Sequence, residues 1–70
     1  MTRILLVEDD INTLTGLIEI LTDEGYEVKG VDRGSLALDL LNREDFEILL
    51  TDFKLPDMTG LELYEKSLKS

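Results

Sequence analysis

Seventy residues allow one small domain, whose single core has little stability to spare without staples, and the chain has neither cysteine nor histidine. Disulfides, thiolate metal sites and imidazole acid–base chemistry are therefore excluded. The net charge of −9, from 16 acids against 7 bases, argues against nucleic acid as a partner of this segment and suits a cation or a basic protein surface.

No apolar run approaches the roughly 20 residues of a membrane span, so no membrane partner is expected. The acids at Glu8, Asp9 and Asp10 follow the first apolar run too closely for a signal peptide. The start reads as mature and the protein as cytoplasmic.

In chain order, Arg3 to Val7 is predicted as a strand buried on both faces. Asp10 or Asn12 can cap a helix with the apolar stripe Leu14, Leu17, Ile18 and Leu21, which Gly25 is placed to end. Tyr26 to Val31 reads as an edge strand whose charges, Glu27 and Lys29, protect it. Asp32 can cap a second helix that turns Leu36, Ala37, Leu40 and Leu41 inward, and residues 42–45 close it. Phe46 to Asp52 is the third strand. It runs apolar through Ile48, Leu49 and Leu50, ends in Asp52, and turns through Leu55-Pro56-Asp57. Thr59 and Glu62 have the spacing of a capping box. They start a third helix carrying Leu61, Tyr64 and Leu68, with Tyr64 half-buried and Glu62 and Glu65 on a solvated face.

The order βαβαβα defines an α/β chain with a parallel sheet. With the charged second strand at an edge, the sheet order is 2-1-3. Right-handed crossovers then place the first and second helices on opposite faces. The reversal point lies between the carboxyl ends of strands one and three, where open α/β sheets bind ligands. Glu8, Asp9 and Asp52 all meet there.

Taken singly, each acid reads as a solvated strand end or helix cap, and Asp10 sits where a cap is needed. Three carboxylates at one crevice are different. Two like charges 4 Å apart repel by roughly 4 kcal/mol at an effective dielectric near 20. The group must hold a proton or a cation. Oxygen ligands alone select Mg²⁺, Mn²⁺ or Ca²⁺. Mg²⁺ takes one or two carboxylates and completes its shell with phosphate oxygens, so the arrangement suits phosphoryl chemistry with an Asp as acceptor. The turn after Asp52 can add the backbone carbonyl of Lys54.

The segments ILLVEDD, GYEV, RGSLALDLL and ILLTDFKLPDMTGLEL, in this order and spacing, resemble the receiver domain of two-component response regulators over nearly the whole chain. The resemblance implies a flavodoxin-like (CheY-like) fold. It implies Asp52 as the phosphoacceptor, served by a histidine of a sensor histidine kinase. It implies Mg²⁺ held directly by Asp9, through water by Glu8, and by Asp52 and the Lys54 carbonyl.

The family pattern continues with two more strands and two more helices, the fourth strand bearing a Thr or Ser and the fifth a Lys. Residues 1–70 therefore read as a truncated receiver domain, its first half. The expected class is a signalling module and not an enzyme. The alternative is a truncated or engineered half-domain that assembles as a structural dimer without signalling. A Mg²⁺-dependent phosphatase would show an Asp-x-Asp pair, which Asp52-Phe53-Lys54 lacks. The unguarded third strand predicts a homodimer formed through that strand or by swapping elements.

Overall fold

The computed structural model describes residues 1–69. The elements are β1 (Arg3–Val7), α1 (Ile11–Asp23), β2 (Glu27–Val31), α2 (Gly34–Arg43), β3 (Ile48–Thr51) and α3 (Gly60–Ser67). The three strands are parallel in the order β2-β1-β3.

β1 is central, and Ile4 to Val7 are all buried, which is why it reads as an unbroken apolar run. The register pairs Leu5 with Lys29 and Leu49, and Ile4 with Val28 and Ile48. Because side chains alternate across a sheet, one face carries Leu5, Val7, Val31 and Leu49. These pack with Ala37 of α2, Leu63 of α3 and Leu55 to form the main core. The other face carries Ile4, Leu6, Val28 and Gly30 and receives α1 through Leu14 and Ile18. On that face Ile48 and Leu50 of β3 are each 43% exposed, since α1 packs over β1 and β2. Leu17, Ile18 and Leu21 are half-buried and only Leu14 of the predicted stripe is fully covered.

Of the two candidate caps for α1, Asp10 takes the position, accepting from the Thr13 amide at 3.2 Å. Gly25 ends the helix with φ 97°. The Gly25 amide donates to Thr22 and the Tyr26 amide to Leu21, the paired bonds of a Schellman motif.

α2 departs from expectation at both its cap and its face. Asp32 does not cap it. The N-cap is Arg33, one residue later, and the Asp32 carboxylate accepts from the Arg33 guanidinium instead. The inward stripe is Gly34, Ala37, Leu38 and Leu41, at the spacing of one helix face, with Leu40 beside it. Leu36, two residues from Gly34 and so nearly opposite the centre of that stripe, is 46% exposed.

α3 is rotated by one residue from the expected stripe. Gly60 and Leu63 are buried, while Leu61, Tyr64 and Leu68 are exposed. The capping box of Thr59 and Glu62 forms as predicted and fixes where the helix starts. Gly60 is then held against the end of β3, and the residue one turn later, Leu63, follows it inward.

β3 is shorter than Phe46–Asp52 because Phe46 turns into the core and not into the sheet. At the amino ends of the strands the Arg3 guanidinium lies 4.8 Å over the Phe46 ring. It also pairs with Glu27 and Glu44, and Lys29 reaches Glu44 at 3.1 Å. The edge charges of β2 are thus part of a network at the end of the sheet opposite the acids. No helix among the described residues is long and apolar enough to cross a membrane.

Candidate functional site

The sheet ladder continues one residue past each strand. The Glu8 amide donates to the Val31 carbonyl and the Asp52 amide to the Val7 carbonyl, both at 3.0 Å. These bonds set the acids at the carboxyl rim between β1 and β3. Glu8 is further oriented by the Asp10 amide, which donates to its Oε2 at 3.0 Å. One carboxylate oxygen from each of Glu8, Asp9 and Asp52 lies within 4.8 Å of the others. Glu8 is half-buried and the two aspartates are exposed. The three acids that the topology brought to one crevice are therefore neighbours in space. Oxygen donors with no nitrogen or sulfur among them suit a hard divalent cation, and two exposed members leave room for water and a phosphoryl oxygen.

The segment after Asp52 is a closed turn. Lys54 and Thr59 form an isolated antiparallel bridge, the Leu55 amide donates to the Met58 carbonyl at 3.0 Å, and the Gly60 amide donates to the Phe53 carbonyl. The Thr51 hydroxyl donates to the Asp52 carbonyl at 2.9 Å. Leu55 is buried and anchors the turn to the core, leaving Phe53 and Lys54 exposed at the rim. Lys54 is thus two residues from Asp52 in a loop with a defined course.

Sequence reasoning missed one residue of this loop. The Asp57 carboxylate accepts from the Gly34 amide at 2.8 Å and from the Ser35 amide at 2.9 Å. It supplies the N-terminal cap that α2 lacks locally. These amides hold the Asp57 carboxyl below its ordinary range. Arg33 does the same to Asp32. No local signal marks Asp57, because the helix that it caps begins 23 residues earlier in the chain.

The fold and site together define a small α/β module that offers a ring of carboxylates at a topological switch point. A family model described as the response regulator receiver domain matches residues 4–69, and the chain belongs to that family. It is 42% identical over 67 residues to the response regulator receiver protein CpdR of Brucella abortus, covering 96% of this chain and 56% of that protein. It is similar to a CheY-like receiver domain protein of Methanospirillum hungatei, with TM-score 0.94, 43% identity, and 99% of this chain on 55% of that one. It also resembles TrrA of Thermotoga maritima in complex with Mg²⁺-BeF, with TM-score 0.92, 33% identity, and 99% of this chain on 60% of that one. TrrA has a further structure in complex with the histidine kinase ThkA. The chain spans a little over half the length of these relatives.

Proposed function

We propose that this chain is the phosphoacceptor segment, the first half of the receiver domain, of a cytoplasmic response regulator, with Asp52 as the acceptor and a sensor histidine kinase as donor. The observation that carries the reading is the meeting of Glu8, Asp9 and Asp52 within 4.8 Å at the rim between β1 and β3. Family membership and the TrrA complexes with Mg²⁺-BeF and a histidine kinase support it. Asp9 and Asp52 would hold Mg²⁺ directly, Glu8 through water, and the Lys54 carbonyl from the loop. The ion supplies neutralisation of the negative charge that gathers as a phosphoryl group approaches carboxylates. A carboxylate oxygen of Asp52 attacks phosphorus, and the phosphorus–nitrogen bond to the donor imidazole breaks. The electron pair leaves with that nitrogen, which takes up a proton. The chain's own part is to aim Asp52 from the end of a rigid strand and to keep the approach open.

Incubation with acetyl phosphate and Mg²⁺ followed by intact mass spectrometry tests the assignment. The expected result is an added phosphoryl group in the wild type and none in Asp52→Asn. Equal labelling of the variant would remove Asp52 from the role.

A second reading concerns assembly. β3 is a sheet edge among the described residues, and its own Ile48 and Leu50 are exposed. We infer a homodimer that joins third strands or exchanges elements across this edge.

A further inference from the structure

α2 begins without a cap of its own, since Arg33 makes no capping bond and Asp32 is turned toward Arg33. Both oxygens of Asp57 fill that gap, one on Gly34 and one on Ser35. A negative carboxylate there also meets the positive end of the helix dipole. Met58 lies against the same turn. A Cβ built on Gly34 would fall 2.5 Å from Met58 Cγ and Sδ, so the glycine is what admits the side chain. Asp57 and Met58 belong to the closed turn that also contains Lys54 and follows directly on Asp52. The turn is held to the rest of the fold by Leu55 in the core and by Asp57 at the first turn of α2, on either side of its tip.

We propose that Asp57 is a positioning residue that clamps the Asp52–Lys54 loop to the first turn of α2, so that cation binding at Glu8, Asp9 and Asp52 and closure of the α2 N-terminus are one coupled equilibrium. This inference rests on the metal-site reading above. Coupling of this kind is reciprocal. A cation that orders the loop protects the Gly34 and Ser35 amides, and loss of the clamp weakens the cation.

The test is a Mg²⁺ titration of the ¹⁵N-labelled 70-residue chain, followed by amide shifts and by hydrogen exchange at Gly34 and Ser35. In the wild type, Mg²⁺ is expected to slow exchange at both amides. In Asp57→Ala, affinity is expected to fall about tenfold, the scale of losing an outer-shell support, and the two amides are expected to ignore Mg²⁺. The double variant Arg33→Ser/Asp57→Ala gives α2 a local cap. It is expected to recover thermal stability while Mg²⁺ affinity stays low. Wild-type affinity in that double variant, or in Asp57→Ala, would show that Asp57 is a helix cap alone and overturn the proposal. Identical Mg²⁺ responses in wild type and Asp52→Asn would instead remove the metal site, and the inference with it.

Discussion

Gly60 sits against the backbone of Asp52. A Cβ added at Gly60 would lie 2.8 Å from the Asp52 carbonyl oxygen, 3.2 Å from Thr51 Cγ2 and 3.3 Å from the Phe53 Cα. Two of these three neighbours are backbone atoms and cannot rotate away. The requirement is one of space, since Gly60 has no positive φ. Gly60→Ala is therefore expected to destabilise the chain by about 1–3 kcal/mol, the range for overpacking. It is also expected to displace Asp52. The urea midpoint and the amide shifts of residues 51–53 check both parts.

The rotation of α3 makes a sharp distinction between neighbouring leucines. Leu63 is fully buried in the main core, while Leu61 is 57% exposed. Leu63→Ala is expected to cost about 2–5 kcal/mol, enough to unfold most of a small domain. Leu61→Ala is expected to stay within about 0.5 kcal/mol of the wild type. The reverse order of losses in urea denaturation, with Leu61→Ala the costlier, would mean that α3 is turned as the sequence pattern suggested.

The network around Arg3 predicts a dependence on pH. Hydrogen bonds from Arg3 and Lys29 hold the Glu44 carboxyl below its ordinary value. A depressed folded pKa contributes stability above the unfolded value, about 4.3 for Glu, and that contribution is lost as pH falls through the folded value. Wild type is expected to exceed Glu44→Gln in urea midpoint at pH 7, with the gap closing below about pH 4. A gap that stays constant with pH would exclude the ion pairs as its cause.

The proposed dimer opposes charge with apolar contact. Each chain carries −9, so salt is expected to favour association by screening the repulsion. Leu50→Lys puts a charge on the exposed face of β3 and is expected to return the chain to a monomer. Sedimentation at micromolar concentration is the measurement. A wild-type monomer at high salt, with well-dispersed amide signals, would show that one chain closes its own core.

The sequence by itself determined the element order, the 2-1-3 sheet and the convergence of the acids. These follow from local signals: the apolar runs of the strands, the Thr59–Glu62 box, the glycine after α1, and the handedness of crossovers. A strand's end is legible from its own residues, so the rim positions of Glu8, Asp9 and Asp52 follow from the two apolar runs that precede them. The cap of α2 and the inward face of α3 were decided by tertiary structure alone. Arg33 occupies the N-cap where the nearest acid, Asp32, falls one residue short, and the carboxylate that serves instead comes from Asp57 across the fold. On α3 the apolar spacing of Leu61, Tyr64 and Leu68 competes with a face on which Leu63 stands between Gly60 and Ser67. The choice between them was made by the contact of Gly60 with Asp52, since a helix started at that point can turn only one side to the sheet.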